Sequence, residues 1–382
     1  MFKKELDGLK EKSLLRKLRT VESVRGTRAV VDGREYTLFC TNDYLGLSSH
    51  PAVCAAAKDA IDDAGFGSGS APLIAGRSAY HEKLEQEIAS FKRAETALLF
   101  GSGYLANTGL IPALASQGDV ILSDSLNHAS IVDGCRLSRA EVRVYRHTDV
   151  SSLEDKLKEP SGFNRRWIVT EGVFSMDGDI APMPEITALA EKYGATVIID
   201  DAHATGAIGS GGRGTLEHFG LPADNVVQMG TLGKAVGSYG AFVAGPRDVA
   251  GWLVNSARSF MFSTALPIPV CAAASAALGV IKGNPERRAR MARNAEKLRG
   301  SLAAMGLTVL GDGTPIIPVL AGEAMTAVGM SATLMEKGFL APAIRPPTVP
   351  EGESRIRFTV SALHTAEDID ALTDALRGMV TA

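Results

Sequence analysis

One lysine, Lys234, sits in "QMGTLGKAVGSYGAFVAG" (residues 228–245) among glycines, small residues and apolar residues, with no acidic residue in the window to pair with it. A loop lysine ordinarily points at solvent. A lysine held by a crowded glycine-rich turn and brought into an enclosed site has another use, because its amine can form an imine with a carbonyl. A Walker-type phosphate loop needs Gly-Lys followed by Ser or Thr, and here Gly233-Lys234 is followed by Ala235, so that chemistry is excluded.

In open α/β sheets, ligands sit beyond the carboxyl ends of the strands, so the residues that close apolar runs carry the next clues. "TVIIDDAHATGAIG" ends a run with Asp200, Asp201 and His203. Asp201 reads as the N-cap of a following helix. Alternation sends Asp200 inward, where a buried carboxylate requires a cation such as a protonated ring nitrogen. "LLFGSGYLANTG" sets Gly101, Ser102 and Gly103 between a strand and a helix, offering backbone N–H groups to a phosphate. "SDSLNHASIVDG" places His128 after another strand, and "TEGVFSMDGDIAP" supplies Glu171, Ser175 and Asp177 in the same kind of position.

The elements that must position these groups follow from periodicity. "TALLF", "DVILSD", "RWIVTE", "TVIID", "NVVQMG" and "AFVAG" are short strand-like runs separated by amphipathic segments such as "AYHEKLEQEIASFKRAE", a pattern for a largely parallel sheet covered by helices. The expected organisation is an N-terminal arm over 1–45, with a charged helix and a helical "LLRKLR". A large domain over 46–285 and a smaller α+β domain over 286–382 follow. The smaller domain opens with one long helix through "IKGNPERRARMARNAEKLRGSLAAMG". It continues through "TPIIPVL", a helix around "AMTAVGMSATLMEKG", the proline-rich "APAIRPPTVPEG", an alternating strand "SRIRFTVSA" and a closing helix.

At 382 residues, 45% hydrophobic and a net charge of -3, the chain has material for a sizeable core and no basic block, which argues against nucleic-acid and anionic-membrane partners. The charged start, without an apolar h-region, and the lack of a long apolar run predict a cytoplasmic protein. Cys40, Cys54, Cys135 and Cys271 are scattered without C-x-x-C spacing, so reduced thiols are expected and a metal site is not.

A phosphate cradle, a carboxylate suited to a ring nitrogen, a histidine and an enclosed lysine fit pyridoxal 5'-phosphate. With "TNDYLGL", "GSGS", "FGSGYLAN", "NHAS", "TEGVFSMDGD", "DDAHATG", "TLGKAVGSYG", "FSTALP" and "SALH" in one collinear order, nearly the whole chain resembles the α-oxoamine synthase family of fold-type I pyridoxal-phosphate transferases. That resemblance implies an α/β fold, a Schiff base at Lys234 and an Asp200 that keeps the ring nitrogen protonated. It also implies that His128 stacks on the ring and His203 reaches its phenolic oxygen, with Ser175 nearby. The phosphate falls to Gly103, Tyr104 and Thr231, and Thr264 arrives from a second subunit of a homodimer with shared active sites. Arg345 is the guanidinium for the amino-acid carboxylate, with Thr348, Asn42 and Arg16 also facing substrate, although Arg19 is an equal match for Arg16. "SMDGDIAPMPEI" and "AIRPPTVPEGESRIRFTVSALH" look like the biotin-pathway branch of the family, which condenses L-alanine with a pimeloyl thioester of coenzyme A or acyl-carrier protein and releases carbon dioxide. The rival readings are a glycine-using member of the 2-amino-3-ketobutyrate ligase type and a non-catalytic binding protein on the same fold.

Overall fold

The computed structural model describes residues 1–159 and 162–380. Runs of β-branched and aliphatic residues become strands, in chain order Val21–Arg25 (β1), Arg28–Val31 (β2), Arg34–Leu38 (β3), Thr96–Phe100 (β4), Val120–Asp124 (β5), Glu141–Tyr145 (β6) and Arg166–Glu171 (β7). They continue with Ala195–Asp200 (β8), Val226–Thr231 (β9), Ala241–Gly245 (β10), Ile316–Gly322 (β11), Phe339–Leu340 (β12), Ala343–Ile344 (β13) and Ser354–Thr359 (β14). The chain forms two units, one of Leu47–Phe174 and Ile180–Pro285, the other of Met1–Gly46, Ser175–Asp179 and the residues from Glu286 onward.

The larger unit holds a seven-stranded sheet in the order β4-β10-β9-β8-β7-β5-β6. Strands β9, β8, β7, β5 and β6 run parallel and β10 runs against both of its neighbours. The registers Glu171↔Asp200, Asp200↔Met229, Ala241↔Thr231 and Ala241↔Phe100 bring the ends of β7, β8, β9 and β4 to one edge. Val169, Ile198 and Val227 pack on one face with Leu110 and Ile111, while Ile168, Val197 and Ile199 pack on the other with Leu153 and Ile186. Burial on both faces is why these strands read as unbroken apolar runs. Strand β6, with its charged "EVRVY" mostly outside the core, lies at the sheet edge and carries no such signal.

In the smaller unit, β14 lies between β11 and β13, and β3 pairs in parallel with β12. Phe39, Leu298, Ile317, Phe358 and Leu372 form its core. Three expectations change. All six residues of β14 are buried rather than alternating, because it is the central strand and its arginines meet acceptors inside the unit. The single long helix over 281–306 is two, Ile268–Gly283 and Pro285–Ala304, split where Pro285 lacks an N–H and disfavours helical geometry at Asn284. "LLRKLR" lies beyond the first helix, Lys3–Glu11, in residues without regular structure. No helix among the described residues is long and apolar enough to cross a membrane.

Candidate active site

At the shared strand edge of the larger unit lies a cavity of about 180 Å³, lined by Gly103, Tyr104, His128, Asp200, His203, Thr231 and Lys234, among others. Lys234 follows β9 in a turn closed by Gly237 N–H donating to its carbonyl at 2.8 Å and by Leu232 N–H donating to Gly240 O at 2.9 Å. Gly237 has φ +69°, and a Cβ there would come within 2.4 Å of Ser48 N, so only glycine closes this turn without strain. Thr231 Oγ1 donates to Gly240 O at 2.9 Å and accepts from Gly233 N at 3.2 Å. This is the crowded turn that the glycine spacing predicts.

Asp200 ends β8, buried, with Oδ2 accepting from Asn107 Nδ2 at 2.8 Å and Oδ1 from Ala202 N at 2.9 Å. Burial raises its pKa, and the charges of Lys234 and His128 together with its hydrogen bonds oppose that rise. His128 caps the helix Ala129–Ser138, its backbone N–H donating to Glu171 Oε1 at 2.7 Å. Its outer edge is exposed, yet the atoms packed against the ring lower its pKa, Asp200 opposing and Lys234 adding to the effect. His203 is buried in the turn after β8. The helix Gly103–Leu114 begins at the cavity with Ser102 Oγ accepting from Leu105 N at 3.2 Å, which leaves the N–H groups of Gly103 and Tyr104 without intrahelical partners.

Asp201 corrects an expectation. The residues directly after it form turns, and the next helix is Thr215–His218. The Asp201 carboxylate meets Lys92 Nζ at 2.7 Å, with both side chains fully buried, and also accepts from Thr215 Oγ1 at 2.6 Å. Side chains on Gly172 or Gly214 would come within 2.3 and 2.0 Å of its oxygens, so two glycines make room for this pair. Asn107 and Ser130 escaped the sequence reading. The one available signal was an amide inside the otherwise apolar "LANTGLIPAL", where an unpaired buried polar group is costly.

Thr264 lies outside the cavity in a single chain; it is exposed, beside Leu266 and His81. The other expected site residues belong to the smaller unit. Ser175 is buried and its carbonyl accepts from Arg357 Nε, while Asn42 Oδ1 lies 3.5 Å from Arg357 Nη2. Arg345 donates to Ser13 O, and Arg16 Nη2 donates to Pro346 O at 3.2 Å. Arg16 therefore touches the proline-rich turn. Burial, then the neighbouring Arg16 charge, lowers the pKa of Arg345, and its Nε is buried without a partner. The exposed Thr348 donates its backbone N–H to Arg345 O at 3.0 Å.

An acceptor-only carboxylate in a closed setting, a lysine beside it and open N–H groups at a helix start suit a phosphorylated, protonated pyridine aldehyde. The chain belongs to the class I and II aminotransferase family, whose model matches residues 34–376, and its fold is that of the fold-type I pyridoxal-phosphate enzymes. Within that class it is 52% identical to a putative 8-amino-7-oxononanoate synthase 2 of Bacillus velezensis, over 97% of this chain and 94% of that one. It is 49% identical to 8-amino-7-oxononanoate synthase of Geobacter sulfurreducens, over 97% and 96%. Among solved structures it resembles serine palmitoyltransferase from S. paucimobilis with bound PLP, at a TM-score of 0.94 and 32% identity over 100% and 98% of the two chains.

Proposed function

We propose that this protein condenses L-alanine with a pimeloyl thioester, releasing carbon dioxide and the thiol carrier to give 8-amino-7-oxononanoate for biotin synthesis. The observation that carries the reading is the meeting of Lys234, Asp200 and His128 in one cavity at a helix start. Relatives of that name at about half identity over nearly the full chain supply the substrates.

Bound pyridoxal phosphate supplies an aldehyde that condenses with amines and a ring that accepts the electron pair left at an amino acid's α-carbon. Asp200, fixed by Asn107 and Ala202, would hold the proton on the ring nitrogen. Lys234 Nζ takes the α-proton of alanine and returns a proton at the end. Gly103 and Tyr104 N–H and Thr231 would hold the phosphate, His203 and Ser175 would steady the ring's oxygen, and His128 would pack against the ring. Arg345 grips the alanine carboxylate, a role suited to a guanidinium whose only hydrogen-bond partner among the described residues is a carbonyl. Arg16, Asn42 and Thr348 complete the substrate contacts.

A homodimer sharing its sites explains why Thr264 stands away from its own cavity, and the exposed Phe66, Ile74 and Phe262 are apolar surface that a second subunit can cover. Four free thiols suit the reducing cytoplasm. The likeness in shape to serine palmitoyltransferase makes serine the rival amino acid. Incubating the purified protein with pimeloyl-CoA and alanine, serine or glycine in turn, and weighing the product by mass spectrometry, decides among them. Product from serine or glycine at the higher kcat/KM overturns the alanine assignment.

A further inference from the structure

The hydrogen bonds behind His128 have a direction that can be read from the chemistry of their ends. Asn107 Nδ2 donates to Asp200 Oδ2 at 2.8 Å, so the amide nitrogen of Asn107 faces the carboxylate. The same nitrogen lies 2.9 Å from Ser130 Oγ and donates there too. The serine's own hydrogen is then left for its other neighbour, His128 Nδ1, at 2.8 Å. The backbone N–H of Ser130 reaches that nitrogen as well, at 3.2 Å. Two donors converge on Nδ1, which must therefore present its lone pair, and the ring's proton falls to Nε2.

We propose that Ser130, with Asn107 behind it, is a positioning residue that fixes His128 as the neutral imidazole protonated on Nε2, so that this histidine offers the cavity a hydrogen-bond donor and not an acceptor. The sequence of constraints starts at Asp200. Asp200 Oδ2 accepts from Asn107 and so orients it, Asn107 orients the serine hydroxyl, and the hydroxyl sets the tautomer. One carboxylate thus governs both the charge of the cavity and the polarity of its histidine. A donor at that position favours a substrate oxygen, whether of a carboxylate or of a thioester carbonyl, over a second donor such as an amine. Charging His128 would place a proton on Nδ1 against the Ser130 N–H, and the neighbouring Lys234 charge acts in the same direction. The proposal builds on the functional reading above only in placing Asp200 and His128 in one site; it does not depend on which amino acid or acyl donor is used.

The tautomer can be read directly. In protein labelled with 15N-histidine, the signals lost in His128→Asn identify this ring. The nitrogen that correlates with both ring carbon-bound hydrogens, Nε2, is expected in the protonated range and Nδ1 in the bare range, with and without cofactor. A protonated Nδ1 in the unmodified protein overturns the proposal without any variant. Ser130→Ala should move both nitrogens toward an averaged position and lower kcat about tenfold, less than the roughly 10⁴-fold known for a wrong tautomer because the backbone N–H remains. Ser130→Thr, which keeps the hydroxyl, should restore both. If Ser130→Ala lowers the melting temperature but leaves the nitrogen pattern and kcat unchanged, Ser130 is structural only and the proposal falls. A correct tautomer in a protein that makes no 8-amino-7-oxononanoate defeats the substrate assignment alone.

Discussion

Asp200 and Asp201 are neighbours in sequence, both buried, and they do opposite work. Asp201 has its cation built in: Lys92 meets it at 2.7 Å, and Thr215 occupies the other oxygen. Asp200 is held by neutral donors, an amide and a backbone N–H, and burial raises its pKa even though Lys234 opposes that rise. A buried charge that already has its counter-ion is part of the scaffold; one held in place by neutral donors is ready to receive a charge from outside.

The same contrast recurs in the smaller unit. Arg355 is buried against the carboxylates of Asp177, at 2.6 Å, and Glu353, at 3.2 Å, whereas Arg345 donates to a carbonyl and keeps a buried Nε unpartnered. Histidines divide likewise. His364 uses both nitrogens internally, Nδ1 accepting from Ser361 N and Nε2 meeting Leu38 O, and stacks on Phe39 at 4.3 Å. Among the described residues, His128 has its side-chain hydrogen bonds at Nδ1.

Altering either member of each pair tests the contrast. The largest effect is expected from Asp200→Asn, which keeps the shape but cannot hold a proton on a ring nitrogen: kcat should fall about a thousandfold while cofactor still binds, as steady-state assay and absorbance will show. On the scaffold side, Lys92→Met leaves a carboxylate buried without its cation and should cost about 3–5 kcal/mol in urea unfolding. Lys92→Met with Asp201→Asn removes both charges and should regain most of that loss; a double variant as unstable as the single one would show that the pair is not the cause.

The third effect is one of pH. Burial lowers the His364 pKa from the ordinary 6.5 to about 4. Between those values the unfolded chain binds a proton that the folded chain refuses, so stability is full above pH 6.5 and falls as the pH drops toward 4, by about 3 kcal/mol in all. Comparing unfolding curves at pH 7 and 4.5 for the protein and for His364→Gln, whose slope should be shallower, checks it. Smallest is Arg345→Lys, which exchanges a two-pronged grip for a point charge: the KM for alanine should rise about tenfold with the cofactor spectrum unchanged. An unchanged KM would place Arg345 outside the site.

By itself the sequence carried the fold class and the reactive groups. Strands buried on both faces are written as uninterrupted apolar runs, and Lys234 and Asp200 stand out by type and setting, whereas His128 and Gly103 drew their roles from the combination with them and from the family resemblance. Edge strand β6 and the full burial of β14 were hidden, because each depends on neighbours supplied by distant segments, whereas the split between Gly283 and Pro285 was written locally in the proline. Alternation in "IIDDAH" separated an inward Asp200 from Asp201 but gave Asp201 the wrong role, a helix cap, because the partners are not local: folding brings Lys92, 109 positions away, against one carboxylate and the Asn107 amide against the other.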